Sequence, residues 1–245
     1  MIRVIPSLLA LDGKIVKGRQ ASNNRVIGTI DSALRVQTAR NVDEVALIDV
    51  AVTTSERRLS SYVSRASDFL RVPFTAGGGI DSVDEIGRLL TLGADKVLLG
   101  RRAFGQPGLV GKASRVFGSQ AIMACLELVR DESGWVISNM PGFSTSGVSD
   151  YAKYLQDEGA GEILLFNKSS DGMRSGVAED IAGEVSSALS VPTSYLGGVG
   201  SPSDAVKLAA AGVSAVVAGA LFAFSQYTPN DVKRSLLDHG FEVRL

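Results

Sequence analysis

Two glycine-rich turns have the make-up of anion grips. Leu196-Gly197-Gly198-Val199-Gly200 ends a short apolar stretch, and Ser201 then opens a helical pattern. Glycine lets the backbone approach an anion closely, and a helix N-terminus offers free N–H groups and the positive end of its dipole. Gly219-Ala220 forms another small-residue turn shortly afterwards. The same apparatus stands earlier in the chain, at Gly77-Gly78-Gly79 and at Gly100. Phosphate binding is the chemistry expected of Gly78, Gly79, Gly100, Gly197, Gly198, Gly219 and Ala220. Any single glycine pair also serves a plain tight turn. The symmetric set is what favours anions, and two grips suit a ligand with a phosphate at each end. His239 is the only histidine and Cys125 the only cysteine. Histidine triads, multi-histidine metal sites and an internal disulfide are therefore excluded within the chain. No metal and no cofactor is expected.

These turns must be held by regular elements. Short runs rich in Val, Ile and Leu occur at 2–8, 44–50, 72–76, 95–99, 121–128, 161–166, 191–195 and 214–218. Such runs suit strands buried on both faces. Helical patterns lie between them, near 30–40, 56–70, 82–92, 108–117, 147–158, 178–188, 201–211 and 229–238. Ser82 before Asp84 and Glu85, and Ser201-Pro202 with Asp204, are start signals for two of the helices. Eight βα units fit a closed parallel barrel or a doubly wound sheet.

An internal repeat favours the barrel. Residues 72–104 align without gaps on 191–223, pairing Gly78 with Gly197, Gly79 with Gly198, Ser82 with Ser201, and Gly100 with Gly219. DEVALID at 43–49 matches GEILLFN at 161–167 at nearly the same offset. Four βα units taken twice give eight. The expected fold is α/β, a single (β/α)₈ TIM barrel over 1–245 with half-barrels of about 1–119 and 120–245. Its site should lie at the C-terminal ends of the strands.

The 245 residues suffice for such a barrel, and a formal net charge of −1 gives no support for binding nucleic acid or an anionic membrane. The N-terminus carries an early Arg3 and a short apolar run ending at Asp12, unlike a signal peptide. No run reaches the roughly 18 apolar residues of a membrane span. A cytoplasmic protein is expected.

Several stretches carry a family resemblance. VIPSLLALDGKIVKG (4–18), DEVALIDV (43–50), VPFTAGGGI (72–80), LGADKV (92–97), GAGEILL (159–165), the Asp171-Gly172 pair and HGFEVRL (239–245) run from one end of the chain to the other. The sequence resembles the HisF family, the cyclase subunit of imidazole glycerol phosphate synthase in histidine biosynthesis. The resemblance implies a HisH-like glutaminase at the N-terminal face, with ammonia passing up the barrel to the C-terminal mouth. It implies a gate of four charged residues, Arg3, Glu44, Lys96 and Glu162, and places Asp95 at the glutaminase interface. It adds Asp171 and Gly172 to the phosphate loops. It also puts Gly100-Arg101 where the family has an Asn-Thr pair that helps to hold phosphate. Arg101 and Arg102 fit either a changed ligand or a solvated loop.

The chemistry at the mouth departs from the family. There, two aspartates on strands one and five act as general acid and base, a role that needs a group able to gain and lose a proton. Leu9 stands at the first position, and Leu126 is read at the second. Glu127 is adjacent, but one step along a strand should turn it toward the helices. Asp12, Lys17, Asp49 and Glu127 remain as substitute catalytic groups. Phe166 replaces a small polar residue and should narrow the mouth at strand six. The IPxLL signature is similar to that of a divergent branch which works with a HisH-like glutaminase and a separate amidotransferase, and installs acetamidino groups on nucleotide-linked sugars of surface polysaccharides. That role is the leading expectation. The cyclase of histidine biosynthesis is the first alternative, and a non-catalytic scaffold of a glutaminase complex is the second.

Overall fold

The computed structural model describes residues 1–20, 22–51, 53, 55–140 and 147–245. The chain begins with β1 (Arg3–Leu11), the hairpin partners β2 (Lys14–Arg19) and β3 (Ser22–Thr29), and α1 (Ile30–Thr38). Then come β4 (Val45–Asp49), α2 (Leu59–Phe69), β5 (Phe74–Gly77), α3 (Val83–Thr91), β6 (Lys96–Leu99), the short α4 (Arg101–Phe104) and α5 (Leu109–Phe117). The remainder runs through β7 (Ile122–Asp131), β8 (Gly134–Ile137), α6 (Val148–Asp157), β9 (Glu162–Asn167), α7 (Glu179–Ala188) and β10 (Thr193–Leu196). It ends with α8 (Pro202–Ala210), β11 (Ala215–Ala218), the short α9 (Ala220–Phe224) and α10 (Pro229–Asp238).

Eight of these strands pair in parallel around a ring, β1-β4-β5-β6-β7-β9-β10-β11, and β11 pairs back onto β1. This is the expected (β/α)₈ barrel. Ser82 caps α3 by accepting from Glu85 N, and the Asp204 carboxylate accepts from Ser201 N at the start of α8. Three further strands lie outside the eight predicted ones. β2 and β3 form an antiparallel hairpin continuing from β1, and β8 folds back on β7.

The apolar residues divide into two clusters, and the division gives the parity of the barrel strands. The larger cluster lies between strands and helices and holds Val4, Leu8, Ala10, Ala124, Leu126 and Leu165. The smaller one fills the bore with Ile5, Ala46, Met123, Cys125, Leu164, Ala215 and Val217. Side chains alternate along a strand. On β1, therefore, Ile5, Ser7 and Leu9 face the bore, and on β7 Met123, Cys125 and Glu127 do. This corrects the sequence-based expectation for strand five. Leu126, fully buried, faces the helices, and Glu127 faces the bore.

Gly78 shows how the loops at the mouth are locked. Its φ is +118°, and a Cβ there would overlap the Asp49 carbonyl. Gly78→Ala should destabilise the fold by at least about 1–3 kcal/mol from backbone strain alone. A fall in melting temperature of several degrees is expected on thermal unfolding. An unchanged midpoint would contradict this account of the turn.

Candidate functional site

The bottom of the bore is closed by a square of charges. Arg3 begins β1, Lys96 begins β6 and Glu162 begins β9, while Glu44 directly precedes β4. Arg3 donates to Glu44 Oε2 at 2.8 Å and to Glu162 Oε1 at 2.5 Å. Lys96 Nζ donates to Glu44 Oε2 at 3.0 Å and to Glu162 Oε2 at 2.8 Å. Thr75 Oγ1 donates to Glu44, and Ser194 Oγ donates to Glu162. All four residues singled out from the sequence are thus brought together. Burial pushes the Glu162 carboxyl up, but the hydrogen bonds and charges of Arg3 and Lys96 outweigh it and hold Glu162 below its ordinary value. Burial likewise works against the Arg3 cation, and its two glutamate partners more than restore it. Asp95, just before β6, accepts from Phe74 N at 2.9 Å and so ties two strand starts together.

Above the square lies a small cavity of about 20 Å³, walled by Ile5, Ala46, Met123, Leu164 and Val217 and bounded by Glu44, Thr75 and Ser7. This is enough for about one water-sized molecule.

The candidate acids and bases divide at the mouth. Glu127 faces the bore with its side chain about one quarter exposed. Its Oε2 lies 3.1 Å from Lys168 Nζ and 3.7 Å from Arg101 Nη2. Phe166 pairs with it in register on β9. Leu9, the half-buried neighbour of Ile48, faces the bore on strand one. The other two carboxylates are differently placed. Asp12 sits in the exposed β1–β2 turn, 4.0 Å from Arg58 Nε. Asp49 falls on the outward parity of β4, and its oxygens accept from Ala51 N at 3.0 Å and Arg58 N at 2.7 Å. Burial raises the Asp49 carboxyl, against these two backbone bonds. Asp49 therefore shapes the loop leading to α2.

Six of the candidate phosphate residues meet at one spot. Asp171, Gly172, Gly197, Gly198, Gly219 and Ala220 line a single small cavity beside Arg174. The β2–β3 hairpin packs over this corner. Gln20 N donates to Asp171 O at 2.8 Å, and a Cβ on Gly172 would overlap Gly18 O. The hairpin carries Lys17, which is 5% exposed, and its ammonium lies so close to Gly219 that a side chain there would have to displace it. Burial pushes the Lys17 ammonium down from its ordinary value, and the charge of Asp171 opposes the shift. A cation, small-residue loops and free backbone at one corner can hold a phosphate.

The other grip is built differently. Arg57 Nη1 donates to the carbonyls of Gly78 and Gly79, and Arg57 Nη2 pairs with Glu85. Arg101 and Arg102 follow Gly100 on α4, and Arg102 lies 3.8 Å from Asp81. The sequence reading missed Arg57 and Lys168. Both follow strand ends in polar runs, and nothing in their spacing marks them. Among the described residues no group of three or more His, Cys, Asp or Glu could hold a metal, and no helix is long and apolar enough to cross a membrane.

Comparison with known proteins agrees with the barrel fold. The model of the family described as "Histidine biosynthesis protein" matches residues 3–228. An imidazole glycerol phosphate synthase subunit HisF from Dehalococcoides mccartyi is 34% identical over 248 residues, spanning 99% of this chain and 98% of the relative. A putative imidazole glycerol phosphate synthase subunit hisF2 from Campylobacter jejuni is 31% identical, with 99% and 98% covered. The HisF subunit of Gluconacetobacter diazotrophicus is 34% identical, with 99% and 96% covered. On its barrel, its family match and relatives that are similar along almost its whole length, this chain belongs to the HisF family.

Proposed function

We propose that the chain is the synthase subunit of a glutamine-dependent complex. A HisH-like glutaminase docks at the N-terminal face near Asp95. Ammonia passes the square of Arg3, Glu44, Lys96 and Glu162 and reacts with a phosphorylated acceptor at the mouth. The acceptor chemistry is the cyclase–lyase step of imidazole glycerol phosphate synthase, with Glu127 as the proton-transferring group. The observation that carries this reading is the common axis of the charged square and Glu127, which face one bore from its two ends. The names of the relatives support the cyclase over sugar amidination. Lys17 and the loops at Gly172, Gly197 and Gly219 would hold one phosphate; Arg101 and the loop at Gly79 would hold the other.

One observation favours a second reading. Leu9 cannot carry a proton, so among the described residues the barrel strands give the mouth one bore-facing carboxylate, Glu127, where the family has two. A subunit that hands ammonia to a separate sugar amidotransferase, forming acetamidino groups, needs neither. A single assay separates the two. The purified chain is given the histidine-pathway substrate with excess ammonium at alkaline pH, and imidazole glycerol phosphate is sought. Its formation is the expected result. Absence of product from a folded protein that still binds the substrate would overturn the cyclase reading and favour the amidination reading.

A further inference from the structure

Four buried side-chain polar atoms among the described residues have no hydrogen-bond partner: Ser7 Oγ, Gln37 Oε1, Ser186 Oγ and Thr193 Oγ1. Of the four residues, Ser7 is the one that lines the bore cavity above the charged square. It is 3% exposed and sits on the inward face of β1, between Ile5 and Leu9. A buried hydroxyl without a partner is uncommon in a folded protein and calls for an explanation.

The surroundings restrict what can answer it. The other polar groups at the cavity are occupied, since Thr75 donates to Glu44, and Glu44 also accepts from Arg3 and Lys96. The remaining wall is apolar, with Ile5, Met123, Leu164 and Val217. The space of about 20 Å³ admits one water-sized molecule and nothing larger. The one charge at the wall, the Glu44 carboxylate, is already shared by Arg3, Lys96 and Thr75, so a charged guest would lose its hydration without a free counter-charge, and the cavity favours a neutral one.

We propose that the Ser7 hydroxyl is a station that holds one neutral ammonia molecule between the charged square and the mouth. This rests on the reading that ammonia crosses the bore. A serine hydroxyl can donate its proton to the nitrogen lone pair. Ammonium could only donate to the Ser7 oxygen, and burying its charge among Ile5, Met123, Leu164 and Val217 is costly, so the apolar wall rather than the hydroxyl selects the neutral form. Ser7 is a positioning group for the passing nitrogen and takes no part in its bonding changes.

Two measurements test the station. The first is a pair of high-resolution crystal structures in ammonium-free solution, of the wild type and Ser7→Ala. A water should mark the station in the wild type, about 2.7–3.2 Å from Ser7 Oγ, and be absent from Ser7→Ala. The second measures turnover of the complex with its glutaminase, with glutamine and with added ammonium as alternative nitrogen sources. The ratio of glutamine-supported to ammonium-supported turnover should fall about tenfold in Ser7→Ala, a loss of ~1.4 kcal/mol. An unchanged ratio overturns the station, as does a wild-type Ser7 hydroxyl that turns to a backbone carbonyl and binds no water. If neither nitrogen source gives product, the proposed function fails separately, and the crystal structures alone decide the station.

Discussion

Glu127→Gln lowers synthase turnover by about 10²–10⁴-fold, the usual scale of a lost general acid–base group, while the substrate still binds. Glutamine keeps the shape of the side chain and can still accept from Lys168, whose ammonium lies 3.1 Å from the carboxylate. Folding and the glycine-lined corner at Gly197 and Gly219 should therefore persist. Glutamine cannot take up and release a proton near neutral pH. The effect belongs in kcat, with KM changed far less. Steady-state kinetics of wild type and variant, with imidazole glycerol phosphate as product, make the check. Equal turnover in the two proteins would remove Glu127 from the chemistry. Leu126 provides a contrast, because it lies fully buried against the helices and any large effect there would be one of packing.

Glu162→Ala should cost about 3 kcal/mol of stability and break the charged square. Removing one member of a buried ion pair leaves the others uncompensated, typically at about 3–5 kcal/mol. The lower end applies because Arg3 and Lys96 are about one fifth exposed and both keep Glu44. Ser194 also loses its acceptor. A fall in melting temperature of roughly 6–12 °C follows for a chain of this size. The pH dependence gives a sharper check. The Glu162 carboxyl is held below its ordinary value of 4.5, so its contribution is complete above that pH and is lost as the pH falls through the folded value. The stability gap between wild type and Glu162→Ala should be constant near neutrality and narrow only below about pH 4.5. A gap that persists unchanged well below that range, or a variant as stable as the wild type, would show that the square does not hold the barrel floor.

The charged square was legible through the family resemblance, and Gly197, Gly198, Gly219 and Ala220 through the repeated glycine turns. The resemblance also supplied Asp171 and Gly172. Arg3, Glu44, Lys96 and Glu162 meet because each stands at the start of a barrel strand. Asp171, Gly172, Gly197, Gly198, Gly219 and Ala220 meet because three neighbouring strands end together. The β2–β3 hairpin was missed because Lys14–Thr29 mixes polar and apolar residues without a clear period. It is held by pairing with β1 and by contacts to the loop at Asp171.

The sequence by itself determined the eight βα units, the barrel they close, and the residue types available at its two ends. Only the tertiary structure decided which side chains face the bore. A barrel strand is buried on both faces, so Met123-Ala124-Cys125-Leu126-Glu127 shows no alternation that would reveal its parity. One residue of slip exchanges the faces. Pairing with β9, which sets Cys125 beside Leu164 and Glu127 beside Phe166, makes that choice. It turns Leu126 toward the helices and leaves Glu127 at the mouth. The same parity on β4 turns Asp49 into its loop, so the mouth owes its surviving acid to register.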